Sequence, residues 1–148
     1  MDLALDLAAS AANEGEIPVG AVVVLDSIVI GRGQDARERT QDPTAHAEVL
    51  ALREASARMG SWRLPGSTLY VTLEPCVLCV GAMLAARVDR VVYGAASPKS
   101  GAIESLVMLA ELPGYNHALR VRSGVRSDEA GVLLQAFFDK LRTRSKSR

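Results

Sequence analysis

Aromatic residues, cysteines and net charge are all scarce in this chain, and each scarcity narrows what the protein can do. Aromatic residues make up 4% of the 148 positions, so composition gives no sign of a platform on which bases would stack. Seventeen basic and seventeen acidic residues cancel, so a polyanion can be recruited only by a local patch. The longest apolar run, over 19–25, is far shorter than the roughly 20 residues that a helix needs to cross a bilayer. We therefore expect no membrane partner.

The two cysteines, Cys76 and Cys79, are three positions apart. The first residues of the chain carry acids where a secretory signal carries bases, so we expect no export. In a protein that is not exported, two such cysteines are more often metal-binding or redox-active than a structural disulfide. The sequence thus predicts a cytoplasmic protein with a metal or redox site.

Length and hydrophobic content predict one folded domain. A chain of 148 residues with 49% hydrophobic content is long enough for one buried core and too short for two. Residues 142–148 include four basic residues and no acidic ones. We assign 1–142 to the domain and 143–148 to a basic tail that we expect to be frayed or disordered.

The succession of helical and extended patterns predicts a sheet layered by helices. Helical patterns cover 2–13, 43–58, 74–87, 105–112 and 127–141, and strand patterns cover 17–25, 28–31, 68–72, 90–94 and 119–122. Polar residues over 31–41 predict a surface loop. This order is typical of a three-layer α/β domain.

One imidazole and two thiolates form the candidate metal site. His46 and Cys76 are each predicted in the first turn of a helix, and Cys79 follows Cys76 by one turn. Three such ligands suit a tetrahedral Zn²⁺ and leave its fourth position open, which is the arrangement of a catalytic site. The other histidine, His117, lies outside the spacing of either motif. The pattern therefore predicts a catalytic zinc site.

Glu48 is the candidate general acid and base. His-x-Glu followed by Pro-Cys-x-x-Cys is the signature of zinc nucleobase deaminases, in which the glutamate is not a ligand. Zinc lowers the pKa of water to about 7, so that hydroxide is available at neutral pH. Glu48 is expected to take the proton and pass it to the ring nitrogen and then to the leaving amine. It would also complement the dipole of its helix, which is the simpler explanation of an acid in a first turn.

Beyond these motifs, the chain resembles the bacterial tRNA-specific adenosine deaminases of the cytidine deaminase superfamily. The resemblance covers nearly the whole chain and is carried by 17–22 (IPVGAV), 42–48 (DPTAHAE), 72–76 (TLEPC), 91–95 (VVYGA), 99–102 (KSGA), 113–117 (PGYNH) and the Phe137-Phe138 pair. It implies a cytidine-deaminase-like fold with a five-stranded mixed sheet flanked by helices, a homodimer, and conversion of the wobble adenosine of tRNA to inosine.

The resemblance also implies roles by position. His46, Cys76 and Cys79 would hold zinc, and Glu48 would shuttle protons. The backbone around Ala47 and Cys76 would contact the reacting water and the base.

Asp35 departs from the family pattern, which has an asparagine as a substrate contact after the second strand. An ionised carboxylate only accepts hydrogen bonds, whereas the ring edges of adenine are mainly acceptors. Guanine, isocytosine or an aminotriazine offers N–H groups that Asp35 could bind, with about 1–3 kcal/mol of discrimination. A deaminase of free nucleobases is therefore the alternative hypothesis. Otherwise, Asp35 accepts from a ribose hydroxyl or turns outward from its loop.

Contacts with RNA are predicted at several loop positions. Lys99, the Arg37/Arg39 loop and the basic tail are candidates for phosphates, and Asn116 and His117 for flipped-out nucleotides. The common explanation of such residues is a solvated surface. A third hypothesis is a non-catalytic RNA-binding or zinc-stabilised interaction module, in which Glu48 would be dispensable.

Overall fold

The structure, a computed structural model, describes residues 1–147. Its helices and strands follow one another as α1 (Asp2–Asn13), β1 (Gly20–Leu25), β2 (Ile28–Gln34), α2 (Arg37–Thr40), α3 (Ala47–Met59), β3 (Thr68–Leu73), α4 (Val77–Ala85), β4 (Arg90–Ala95), β5 (Arg120–Arg122) and α5 (Ser127–Lys146). No helix within 1–147 is both long and apolar enough to cross a membrane.

The five strands form one mixed sheet in the order β2-β1-β3-β4-β5. β1 is antiparallel to both β2 and β3, whereas β3, β4 and β5 run parallel to one another. Parallel neighbours need a crossover, and α4 supplies the one between β3 and β4. The predicted five-stranded mixed sheet with flanking helices is confirmed.

Helices cover both faces of the sheet, so the domain has three layers. A Cβ at Gly20 would overlap the carbonyl oxygen of Ala4 in α1, and a Cβ at Gly33 would overlap that of Ala47 in α3. The missing side chains of these glycines let the helices lie directly on the strands. α5 joins α1 on its face, and α4 joins α3 on the other. The core between the sheet and the α3/α4 layer is apolar, and it is centred on Val23, Leu69, Val71, Val91 and Tyr93.

The first helix and the hairpin lie where the sequence predicts them. α1 spans Asp2–Asn13, and a two-residue turn at Asp26 and Ser27 joins β1 to β2. Both turn residues have positive φ, at 50° and 63°, as a type I′ turn requires. The twist of this turn matches that of the strands, so the hairpin is closed locally.

Helices α3 and α4 begin later than predicted. Asp42 does not cap α3, because its carboxylate accepts from the amide and hydroxyl of Thr44 at 2.8 and 2.7 Å. Residues 42–45 therefore form a separate turn, and α3 starts at Ala47. Likewise, α4 starts at Val77 rather than at Glu74. His46 and Cys76 therefore do not belong to the first turns of these helices. Each is the residue immediately before the first turn.

Three other predictions are wrong in part. The predicted loop over 31–41 contains the end of β2 and the short helix α2. The predicted helix over 105–112 is absent, and this segment is irregular backbone with a turn at 110–111. The tail expected to be frayed continues α5 as far as Lys146, and Arg148 lies outside the described residues.

Candidate active site

His46 and Cys76 hold equivalent places at the starts of two neighbouring helices. Each is the N-cap residue, with extended backbone at φ −74° and −82° respectively, and neither side chain caps its own helix. Both side chains are therefore free to turn toward the space between α3 and α4. Cys79 lies in the first turn of α4 and is fully buried, so it reaches the same space from one turn deeper.

These three side chains form one compact cluster. Nδ1 of His46 lies 3.6 Å from Sγ of Cys76 and 3.4 Å from Sγ of Cys79. All three potential ligand atoms lie within 4.8 Å of one another, which is close enough to bind a single ion. The predicted ligand set is thus assembled, and its composition suits a metal ion.

Proton sharing within the cluster shifts the pKa values of all three groups. The hydrogen bond from the Cys79 thiol, helped by His46, lowers the pKa of Cys76 to about 3. The same pairing, together with burial, raises the pKa of Cys79. Pairing with Cys76 raises the pKa of His46. Since metal binding requires thiolates and a neutral imidazole, an ion would take the place of the protons that these groups share.

Glu48 lies beside the cluster but is not a member of it. It is the second residue of α3 and is 4% exposed. Burial raises the pKa of its carboxyl to about 7, while its own backbone N–H acts in the opposite direction. The side chain lines the same cavity as His46 and Cys76. The site therefore places a buried acid beside three potential metal ligands, and the catalytic role of Glu48 stays a prediction.

A cavity of about 680 Å³ opens over these residues. It lies at the carboxyl ends of β3 and β4, where Leu73 and Ala96 form part of its wall. Lys99 is also in the wall, and its role as a contact for RNA phosphates stays a prediction. The cavity can admit a group the size of a nucleobase and its sugar.

Helix α5 closes one side of the cavity, which sequence reasoning missed. Five of its residues lie on one helical face and line the cavity: Leu134, Gln135, Phe138, Leu141 and Arg142. The apolar stripe of α5 was visible in the sequence, but a stripe does not reveal which surface it covers. Phe138 remains 42% exposed and thus offers an aromatic edge beside the cavity.

Asp35 is buried in the cavity wall and is bound to Arg37. It is 3% exposed, so the reading that it turns outward is wrong. Its carboxylate accepts from the backbone N–H of Arg37 at 3.2 Å and from Nε of Arg37 at 3.1 and 3.3 Å. Both residues line the cavity. The carboxylate therefore already has a cationic partner.

Glu74, which the sequence suggested only as a helix start, organises the loop after β4. Its carboxylate accepts from the amides of Ser97, Ile103, Glu104 and Ser105 at 2.9 to 3.2 Å and from the hydroxyl of Ser105. Burial alone would raise the pKa of Glu74, but these donors lower it to about 2. The ionised carboxylate fixes the loop that carries Lys99 into the cavity wall.

Of the remaining predicted substrate contacts, Ala47 lies at the site, whereas Asn116 and His117 lie outside the cavity. Ala47 is buried directly after His46 at the start of α3, which places its backbone at the cluster. Nε2 of His117 instead lies 2.6 Å from the carbonyl oxygen of Val88, just before the amino end of β4. Neither His117 nor Asn116 lines the cavity, and their role as nucleotide contacts stays a prediction.

Comparison with known proteins places this arrangement among deaminases. The sequence model of the MafB19-like deaminase family matches residues 1–142. The tRNA-specific adenosine deaminase of Bacillus subtilis (strain 168) is 45% identical over 147 residues, which are 99% of this chain and 91% of that protein.

Two solved structures are also similar. A structure from a study of A-to-I editing by tRNA:A34 deaminases has a TM-score of 0.88 and 46% identity, covering 90% of this chain and 97% of that one. The guanine deaminase of Nitrosomonas europaea has a TM-score of 0.76 and 25% identity, covering 92% and 81%.

Proposed function

Because the chain belongs to the tRNA-specific adenosine deaminase family, we propose that it hydrolyses the wobble adenosine of a tRNA anticodon to inosine and ammonia. The observation that carries this proposal is the His46–Cys76–Cys79 cluster beside buried Glu48, in a chain that matches such a deaminase over 99% of its length. Residues 1–142 form the catalytic domain in this proposal, and 143–148 form a basic tail.

The proposed metal is zinc, held by His46, Cys76 and Cys79. Bond lengths of about 2.1 Å to nitrogen and 2.3 Å to sulfur put the two kinds of donor roughly 3.6 Å apart around a tetrahedral ion. The two nitrogen–sulfur distances in the cluster are 3.6 and 3.4 Å, so the spacing of His46 from both sulfurs fits zinc. Zinc bound there supplies Lewis acidity that makes water acidic enough to ionise near neutral pH.

Glu48 moves the protons in this proposal. Its carboxylate takes a proton from the attacking water while the new C–O bond forms at C6 of adenine. It delivers that proton to N1. It then takes the proton of the new C6 hydroxyl and passes it to the exocyclic nitrogen, so that the C6–N bond breaks, the C6=O bond of inosine forms and ammonia leaves. A buried carboxyl with a pKa near 7 can both hold and release a proton in this pH range. The backbone N–H groups at the starts of α3 and α4 orient the water and the base.

The target nucleotide has to leave the stacked anticodon loop before it reaches these groups. Deaminases of this chemistry act on single-stranded or flipped-out bases, and the cavity is deep enough for one nucleoside at about 680 Å³. Asp35 and Lys99 are proposed to act in its wall. Asn116 and His117 would contact the RNA only through a surface outside this cavity.

We also propose a homodimer in the cytoplasm, where tRNA is modified. Large apolar side chains are exposed at the start of α4 and in the loop after β4, including Val77 at 56%, Leu106 at 60% and Met108 at 75%. A cluster of such side chains on a surface is typical of a protein interface, and a second copy of the chain would cover it.

Deamination of a free base such as guanine is the second candidate. It is favoured by the likeness to a guanine deaminase of Nitrosomonas europaea. It requires a free carboxylate to bind the N–H groups of guanine, however, and both oxygens of Asp35 accept from Arg37. We therefore rank it below the tRNA reaction.

The test is inosine formation on an anticodon stem-loop that carries adenosine at the wobble position. Zinc-loaded protein is expected to convert that adenosine and to leave a stem-loop with cytidine there unchanged. Release of ammonia from guanine, isocytosine or an aminotriazine, with the stem-loop untouched, would instead identify a free-base deaminase. A non-catalytic module would bind the RNA and convert nothing.

A further inference from the structure

We propose that Arg37 binds a phosphate next to the target nucleotide and that Asp35 is the positioning residue that aims it. This inference rests on the proposed tRNA reaction and names a specificity-determining contact for it. It also reverses the order of roles suggested by the sequence, in which Asp35 itself would touch the substrate.

The pair is arranged with its anion inside and its cation outside. The side chain of Asp35 is 5% exposed, whereas that of Arg37 is 35% exposed. The guanidinium is therefore the more exposed partner of a buried carboxylate, and both residues line the cavity. The nucleotide enters base first, so its sugar and phosphates remain at the opening of the cavity while the ring lies deeper.

Asp35 holds Arg37 at two points. One bond goes to the backbone N–H of Arg37 and the others to Nε. A guanidinium has five N–H donors, of which Nε carries one. Among residues 1–147 we find no partner for the other four, on Nη1 and Nη2 of Arg37. They form a fork whose direction is set before the substrate arrives, which reduces the entropy lost on binding.

The charge around the opening favours an anionic group. Two of the acids in the cavity wall are already engaged, Asp35 by Arg37 and Glu74 by loop amides. Lys99 and Arg142 add two further cations to the wall. A planar guanidinium fork matches phosphate oxygens in a bidentate manner, so a phosphate diester is the ligand that fits.

A direct contact between Asp35 and the base fits less well. An ionised carboxylate has no donor to offer the acceptor-rich edge of adenine. A base with N–H groups would have to displace a guanidinium that belongs to the same loop, only two residues away. Such a partner is always present at high local concentration, so displacement would be costly.

The first experiment compares Arg37→Gln with Arg53→Gln on the zinc-loaded protein. Arg53 is an exposed arginine on α3 that does not line the cavity, so it controls for the loss of one charge. For the anticodon stem-loop, Arg37→Gln is expected to raise KM at least tenfold with kcat within about twofold. It should also reduce the salt dependence of binding by about one phosphate contact. An unchanged KM and salt slope would overturn the proposal.

A double-mutant cycle then separates positioning from direct contact. Asp35→Asn alone is expected to raise KM, because the guanidinium loses its anchor. In the Arg37→Gln background, Asp35→Asn should have no further effect, since the residue through which it acts is gone. Effects that multiply would show that Asp35 contacts the substrate itself and would overturn its positioning role. Circular dichroism and zinc content would be measured for every variant.

A chemical change in the RNA tests whether the group that Arg37 binds is a phosphate. Replacing the phosphates that flank the wobble adenosine by neutral methylphosphonates should weaken binding of the wild type and leave the already weak binding of Arg37→Gln unchanged. Equal losses in both proteins would overturn the phosphate assignment. Failure of the wild type to deaminate the unmodified stem-loop is a different outcome, since it removes the proposed function and this inference with it.

Discussion

His46 and Cys76 occupy the same position in two helices, each immediately before the first turn, and Nδ1 of one lies 3.6 Å from Sγ of the other. At this position the backbone is extended and the side chain makes no capping hydrogen bond to its own helix. A side chain there can therefore point beyond the helix end. The positive ends of two helix dipoles meet at the same place and favour the thiolate form of Cys76. The ligand site is thus a product of how α3 and α4 start.

Replacement of the proposed ligand histidine should remove the proposed metal. We expect His46→Ala to lose zinc, because two sulfurs alone leave the ion with too few protein ligands for a stable tetrahedral site. Elemental analysis after dialysis gives the measurement. His117→Ala is the matched control, since His117 bonds to the Val88 carbonyl and lies outside the cluster. Equal zinc content in the two variants would contradict the ligand assignment.

Replacement of the proposed acid should separate chemistry from folding. Glu48→Gln keeps the shape of the side chain and removes its ability to carry a proton, so we expect turnover to fall by roughly 10³-fold. Zinc content should remain at the wild-type level, because Glu48 is outside the cluster. Inosine formation and elemental analysis are measured on the same preparation. Retention of full activity would exclude Glu48 from the mechanism.

The sequence was informative wherever the determining contacts are local. The bounds of α1, the hairpin turn at Asp26 and Ser27, and the pairing of Cys76 with Cys79 all follow from residues a few positions apart. His46 is about thirty positions from the two cysteines, so their proximity is not a local feature. The motif signature nevertheless predicts that these three residues share one site. The fold class and the grouping of His46, Cys76 and Cys79 were therefore both accessible without coordinates.

Side-chain hydrogen bonds to three carboxylates explain where sequence reasoning failed. The sequence predicts Asp42 as a helix cap, but its carboxylate instead accepts a hydrogen bond from the backbone N–H of Thr44. The segment predicted as a helix over 105–112 begins where the amides of Glu104 and Ser105 bind Glu74, about thirty positions earlier in the chain. It continues as irregular backbone. Asp35 looked like a loop residue until its burial against Arg37 was visible. Each carboxylate accepts from donors that sequence reasoning did not identify, two positions away for Asp35 and Asp42 and about thirty positions away for Glu74.

Removal of the charge on Glu74 should weaken the fold. Glu74→Gln offers one acceptor oxygen where the carboxylate offers two, so some of the amide and hydroxyl donors from 97–105 would be left unpaired in a buried site. We expect a loss on the order of 1–2 kcal/mol at pH 7, measured by urea unfolding of metal-free protein. Ser97→Ala is the control, because it keeps the backbone N–H that bonds to Glu74 and should cost much less.

The same carboxylate predicts the direction of the acid response. The folded-state pKa of Glu74 is about 2, below its ordinary value of 4.5. Its contribution is therefore present above about pH 4.5 and is lost as the pH falls toward 2. Between these values the stability of the wild type should fall more steeply with decreasing pH than that of Glu74→Gln. Parallel curves would show that the ionised form is not the one that holds the loop.

A methyl group between β2 and α3 should disturb both stability and activity. The Cβ of Gly33→Ala would overlap the carbonyl oxygen of Ala47 and lie 2.7 Å from the amide nitrogen of Ala51. Both are backbone atoms of the helix that carries Glu48, so α3 must move outward, with an expected loss of about 2 kcal/mol or more and of most turnover. Gly131→Ala, with nothing within 4 Å of the new Cβ, should instead stabilise α5 by up to about 1 kcal/mol. Thermal unfolding and inosine formation measure both, and normal activity in Gly33→Ala would mean that α3 need not lie directly on the strand.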